Sequence, residues 1–238
     1  MKLGILKNLL DREFNIQSNK ENLADFAVTS ENTKFVYPDF LAHRTGLMTS
    51  NSAEIAKVYS AVFITDDVVG QIRKHNNCLI LTHHNFDYYE DERGLQPIRP
   101  DVFQILKETK NSVYVAHAPL DTHKLYGTSV CLADLCNIKT DRLFYDYFGA
   151  PTALIGHIEK MDFIRFAEIV KNAIKRPNLT LYRNIDYVQK IAVVAGGGDI
   201  PEILQHVYDA GCDTLLAGTI KQLWGLPFIQ EGNRKFHV

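Results

Sequence analysis

A chain of 238 residues that is 46% hydrophobic and 23% charged carries enough apolar surface for one large α/β domain or two small ones, since domains commonly run about 100–200 residues. This composition is not that of a disordered, collagenous or membrane-embedded chain. A formal net charge of −2 without any block of like charges does not build the basic face of a nucleic-acid binder, so neither nucleic acid nor membrane is expected as a partner.

The N-terminal stretch MKLGILKNLLDREF places Leu3, Ile5, Leu6, Leu9 and Leu10 at helical spacing. Lys7, Asp11 and Arg12 interrupt it, which makes an amphipathic helix and not a signal-peptide core. Residues 57–84 read as a buried strand, a polar turn with Asp66-Asp67 as the helix cap, an amphipathic helix and a second apolar strand. That second strand, in LILTHHNFDYYEDERG (79–94), stops at two adjacent histidines with an acidic run behind them.

NSVYVAHAPLD (111–121) reads as another buried strand running into a polar loop, and GTSVCLADLCNI (127–138) has helical apolar spacing at Val130, Leu132, Leu135, Cys136 and Ile138. GHIEK (156–160) reads as surface or interface. MDFIRFAEIVKNAIK (161–175) puts Phe163, Phe166, Ile169, Val170 and Ile174 on one side of a helix that stops at Arg176-Pro177.

Residues 189–219 repeat the strand, turn, helix, strand order of 57–84, with Asp199 and Pro201 where a cap and first turn belong and Gly211 where the helix ends. The chain therefore reads as internally duplicated. Strands joined through a helix pair in parallel, which gives an α/β fold. Cys78, Cys131, Cys136 and Cys212 all lie in apolar runs and none forms a C-x-x-C pair, as for buried reduced thiols in a reducing compartment, the cytoplasm.

Side chains at the carboxyl end of a parallel strand point into the crevice where α/β proteins place ligands, and His83 and His84 lie where such a strand runs out. Neighbours on a strand face opposite ways, so both reach one site only if the chain leaves β geometry there, which Asn85 and the polar run allow. The other strand end supplies His117, Asp121 and His123. Mixed imidazole and carboxylate donors suit a divalent metal; simple hydrogen-bonding loop histidines are the alternative. His117 alone reads more simply as a hydrogen-bonding group in the core or beside a metal.

VVAGGGDIPEIL (193–204) could aim backbone N–H groups at phosphate. It matches neither dinucleotide-binding nor P-loop spacing, and a tight strand-to-helix turn is the simpler reading. No nucleophile elbow and no activated cysteine is present, so no residue is singled out as catalytic.

THHN at 82–85, AHAPLDTHKLYGTSVCLADLCNI at 116–138 and IAVVAGGGDIPEILQHVYDAGCDTLLAGTIK at 191–221, with KVYSAVFITDDVV before them and HRTGL at 43–47, resemble the GTP cyclohydrolase 1 type 2 family, the Nif-three-like dinuclear metal centre proteins. The resemblance implies two similar α/β lobes with mostly parallel strands, residues 1–125 and 126–238, with a metal site in the cleft between them. It also implies a pair of divalent cations, of identity left open, and a ring-like homohexamer.

The family's adjacent histidines map onto His83 and His84, and its aspartate onto Asp121. His117 matches a family histidine that lies beside the metals, as a hydrogen-bonding neighbour or as a ligand itself. The family's further histidine and glutamate, spaced four apart near the C-terminus, do not appear before EGNRKFHV. His237 and Glu231 stand there in reversed order and take neither role. The expectation is thus a compact form without an inserted domain, an apparently truncated C-terminus, and two, one or no ions, with water completing the shell.

Metal-activated water suits hydrolysis. The function implied is that of a metal-dependent hydrolase acting on a small-molecule substrate, nucleotide-like or otherwise phosphorylated. The alternative is a metal-binding scaffold or interaction protein without turnover.

Overall fold

Leu3, Leu6, Leu10 and Phe14 lie on one side of the first helix, α1 (Leu3–Glu13), and meet Leu47, Leu79 and Tyr114 of a sheet. The protein is described here by a computed structural model that covers residues 1–18, 21, 32–84, 88–91, 94–219, 227 and 237–238, with 88–91 and 94–97 as backbone. It comprises two units, Met1–Leu120 and Asp121–Val238.

In the first unit, α1 is followed by α2 (Pro38–His43), β1 (Gly46–Thr49), β2 (Lys57–Ala61), α3 (Asp66–Ile72) and β3 (Cys78–Thr82). A hairpin of β4 (Tyr88–Asp91) and β5 (Gly94–Pro97) comes next, then α4 (Pro100–Glu108), β6 (Ser112–Val115) and the single turn α5 (Ala118–Asp121). The sheet order is β1-β6-β3-β2, parallel except where β1 joins β6.

The two central strands are apolar on both faces, as parallel strands covered on both sides must be. Ile80, Val113 and Val115 face Val69, Ile72, Val102, Phe103 and Leu106 of α3 and α4. Leu79 and Tyr114 face the α1 side.

A buried side chain, Asn111, joins these parts. Its Oδ1 accepts from the Cys78 N–H (2.8 Å), and its Nδ2 donates to the carbonyls of Ile72 (3.0 Å) and His75 (2.9 Å). The end of α3 is thereby tied to the start of β3. The cap of α3 is Thr65, whose hydroxyl accepts from Val68 N–H (3.4 Å), and not Asp66 or Asp67. Those two occupy the first turn, where their charge favours the helix dipole.

The second unit contains α6 (Thr128–Leu135), β7 (Lys139–Tyr147), β8 (Ala150–Asp162), α7 (Phe163–Ile174), β9 (Tyr187–Gly197), α8 (Pro201–Asp209) and β10 (Thr214–Thr219). Its sheet order is β10-β9-β8-β7. β9 and β10, joined through α8, are parallel, whereas β7, β8 and β9 pair antiparallel. The duplicated strand-helix-strand element is present in both units, but this second sheet is mixed and not mostly parallel. The reason is local: β7 and β8 are joined by Phe148-Gly149, both at positive φ (55° and 94°), and so tight a turn can only reverse the chain.

α6 and α7 cover one face of this sheet through Ala133, Phe163, Phe166 and Val170. The other face is covered by α8 through Ile203, Leu204 and Val207. α8 starts at Pro201 with Ile200 at its cap position, one residue past the buried Asp199. Gly211, at φ +72°, follows its end as expected.

Three cysteines are buried, and burial pushes the thiols of Cys136 and Cys212 up to about 11. Cys131 is the departure from the expectation of buried thiols: it sits on the exposed side of α6. Among the described residues no helix is long and apolar enough to cross a membrane.

Candidate metal site

Beyond Thr82 the backbone keeps its pairing with the β2 segment while leaving strand geometry. His83 N–H donates to Ala61 O (3.2 Å) and His84 N–H to Val62 O (3.1 Å). This departure lets two sequential side chains approach one place. The His83 and His84 rings lie 4.7 Å apart, and the His117 ring stands 4.9 Å from the first and 5.0 Å from the second. The imidazole of His84 stacks flat on Phe63, centroids 4.2 Å apart and planes 3° from parallel.

His117 follows β6 and opens α5, its carbonyl accepting from Leu120 N–H (3.0 Å). The polar loop expected after this strand is thus a helical turn, with Pro119 in its first positions. Asp121 is four residues on, on the same side of that turn as His117. Donor atoms of His83, His117 and Asp121 all lie within 4.8 Å of one another. Around an ion with ligand distances of about 2.1 Å, donors stand roughly 3–4 Å apart, so small rotations close the set. Two imidazoles and a carboxylate are a donor set that zinc and related ions accept, with open positions left for water or substrate.

The loop after Asp121 holds its carboxylate. The Thr128 hydroxyl donates to Asp121 Oδ1 (2.6 Å), and Gly127 N–H donates to His123 O (2.8 Å). Gly127 is required by space: a Cβ there would stand 2.6 Å from His123 O and 2.7 Å from Asp121 O. His123 shapes the loop, its Nδ1 accepting from the N–H groups of Leu125 (3.2 Å) and Tyr126 (3.0 Å) and its ring lying on Tyr126.

The family mapping places His83, His84 and Asp121 as ligands with His117 beside them. The geometry groups His117 with His83 and Asp121, with the His84 ring adjacent. Asn85, Asp87 and Glu92 of the histidine motif and its acidic run, and Glu231 near the C-terminus, lie outside the described residues.

His237 is buried in the second unit. Its Nδ1 accepts from Asn184 N–H (3.2 Å), its Nε2 donates to Tyr187 O (3.0 Å), and its ring packs on Phe163. Both ring nitrogens thus serve the fold. The glycine run at 196–198 closes β9 against β10, since a Cβ on Gly198 would come 2.9 Å from that of Ala217.

Besides Phe63, Gly127 and Thr128, a carboxylate at the site was not foreseen. The buried carboxylate of Glu21 contacts His117 Nδ1 with Oε1, and its Oε2 accepts from Ala118 N–H (3.1 Å). Glu21 lies in a polar stretch 96 residues from His117, and nothing in its local sequence distinguishes it from its neighbours.

Residues 41–230 match the family model described as Duf34/NIF3 (NGG1p interacting factor 3). A Pyrococcus abyssi protein named GTP cyclohydrolase 1 type 2 homolog is 26% identical over 166 residues, 68% of this chain and 64% of that protein. An Archaeoglobus fulgidus protein of the same name is 26% identical over 176 residues, 73% of this chain and 68% of that one. The match to the Pyrococcus protein thus spans under two thirds of its length.

Among solved structures, the protein ybgI, of unknown function, superposes with a TM-score of 0.75 at 16% identity, covering 100% of this chain and 85% of that one. Reduced HcgD from Methanocaldococcus jannaschii gives 0.67 at 22% identity, covering 98% and 84%. At such identities the likeness is one of fold.

Proposed function

Because this chain belongs to the Duf34/NIF3 family, we propose that it is a metal-dependent hydrolase acting on a nucleotide-like or other small phosphorylated substrate. The observation that carries this reading is the convergence of His83, His117 and Asp121, whose donor atoms lie within 4.8 Å of one another. The name shared by its relatives, GTP cyclohydrolase 1 type 2 homolog, supports the nucleotide class.

In this reading the two imidazoles bind as neutral donors and Asp121 brings the negative charge. The Thr128 hydroxyl fixes Oδ1 of that carboxylate. His84, held against Phe63, is a further donor at the edge of the set, available to a second ion. A divalent cation, when bound, supplies Lewis acidity and makes water a nucleophile near neutral pH. The ring-like hexamer and the cytoplasmic setting belong to the same reading.

The test is elemental analysis of the full chain purified without chelators, followed by turnover assays on nucleoside triphosphates and simple phosphate esters with added Mn²⁺ or Zn²⁺. His83→Ala and Asp121→Ala are each expected to lose both metal and turnover. A chain that takes up no divalent cation refutes the reading. Metal uptake without turnover on these substrates replaces the hydrolase by a metal-binding scaffold.

A further inference from the structure

We propose that Glu21 is a positioning residue of the metal site, fixing His117 as the Nδ1–H tautomer so that Nε2 carries its lone pair to the ion. The proposal rests on the metal-site reading above. Three observations lead to it.

The Glu21 side chain is wholly buried and that of His117 is 14% exposed, so their contact is shielded from water and the pairing is not interchangeable with solvent. The two carboxylate oxygens also have different partners: Oε2 faces the backbone N–H of Ala118, which can only donate, and Oε1 faces His117 Nδ1. An ionised carboxylate has lone pairs alone, so the hydrogen of this second contact must sit on Nδ1. One nitrogen cannot both donate to Glu21 and bind a cation, which assigns Nε2 to the ion. Finally, His117 and Ala118 begin the turn that ends in Asp121. A single carboxylate therefore sets both the ring of one donor and the start of the helix that carries another.

A carboxylate on the far nitrogen of a metal-binding histidine fixes its orientation and raises its basicity, and losing such a partner typically weakens metal binding about 10–100-fold. The buried contact is not obvious from sequence because Glu21 and His117 meet only through the folded first unit.

Glu21→Gln separates this role from mere filling of space. Glutamine has the same shape but one acceptor. Ala118 N–H claims that oxygen, and the amide NH₂ is left facing His117 Nδ1. The imidazole must then accept there and carry its hydrogen on Nε2, the nitrogen that should bind the ion.

The measurement is nitrogen NMR of ¹⁵N-histidine-labelled, metal-free full chain, with His117 assigned by its loss in His117→Asn, alongside Zn²⁺ and Mn²⁺ titrations. The wild type is expected as Nδ1–H. Glu21→Gln is expected as Nε2–H, with metal affinity lower by about 10–100-fold. Wild-type metal uptake with an Nε2–H His117, or unchanged affinity in Glu21→Gln, overturns the role of Glu21 alone. No uptake by the wild type overturns the metal reading and the role of Glu21 with it. The wild-type tautomer decides the matter even if the variant does not fold.

Discussion

Replacing Gly127 by alanine tests whether close backbone approach holds the loop that carries Asp121. The residue's φ of −55° and ψ of 140° are open to any amino acid, so a side chain costs space alone. A Cβ would stand 2.6 Å from His123 O and 2.7 Å from Asp121 O, whereas carbon and oxygen approach comfortably to about 3.3 Å. Both obstacles are backbone carbonyls, so no side chain can swing away.

Relief requires the loop from 121 to 127 to open by roughly 0.7 Å, stretching the Gly127–His123 and Thr128–Asp121 hydrogen bonds with it. Overpacking of this kind costs about 1–3 kcal/mol. Site geometry tolerates displacements of only about 0.5 Å, so metal affinity should fall by about tenfold or more. Gly70 in α3 provides the contrast, because a Cβ there meets nothing within 4 Å. Alanine at Gly70 should instead stabilise the chain by up to about 1 kcal/mol through helix propensity.

Urea unfolding and Zn²⁺ titration of both variants give the comparison. Gly127→Ala should be destabilised and bind metal weakly, while Gly70→Ala should be more stable and bind as wild type. A Gly127→Ala chain with wild-type stability and affinity would refute the spatial reasoning.

Asn111→Ala orphans the Cys78 N–H and the His75 carbonyl, while the Ile72 carbonyl loses one of two donors and keeps the His75 N–H (3.0 Å). At about 1–3 kcal/mol per orphaned group it should lower the thermal stability of the first unit strongly, and Asn111→Asp should fail to restore it because two carbonyls would face a carboxylate. Burial pushes the His237 imidazole below its ordinary range. The unfolded chain therefore binds the proton more readily, and the stability this residue contributes is present above the ordinary histidine value of about 6.5 and is lost as pH falls below it. His237→Phe should flatten that part of a stability-versus-pH curve, measured by chemical denaturation between about pH 5 and 8. Among the thiols Cys131 is exposed and the other three are buried, so brief iodoacetamide treatment of the native chain should label Cys131 alone in peptide mass spectra. Labelling of Cys78, Cys136 or Cys212 at a similar rate would show that their burial is wrong.

The elements that sequence reasoning identifies are those whose periodicity is strong within their own span. α3 and β3, the counterparts β9, α8 and β10, and the amphipathic α7 all appear where apolar runs and helical stripes place them, whereas β2 is in its expected place but is an exposed edge strand and not a buried one. β7 and β8 were not foreseen. KTDRLFYDY buries one residue of nine along an edge strand, too little to write an alternation into the sequence. α4 was not named either, although Pro100 opens it in the usual way.

Helix caps were placed one residue off at both α3 and α8. At α3 adjacent Thr65 and Asp66 could each accept the first N–H groups and the extended backbone falls at Thr65, while at α8 it falls at Ile200, which makes no side-chain cap bond. The site divides in the same manner: the histidine pair and the aspartate stand in motifs that can be quoted from the chain, whereas Glu21 has no motif.

What the sequence determines by itself is the family, the α/β character and the residues able to bind a metal, because these follow from residue type and short spacing. Only the tertiary structure decides which of them meet. His83 and His117 end neighbouring strands β3 and β6, the single turn of α5 carries Asp121 round to them, and a buried Glu21 meets the far side of His117. Such convergence depends on how strands pair across long separations and on close contacts like that at Gly127. Those are properties of the folded backbone that no local pattern encodes.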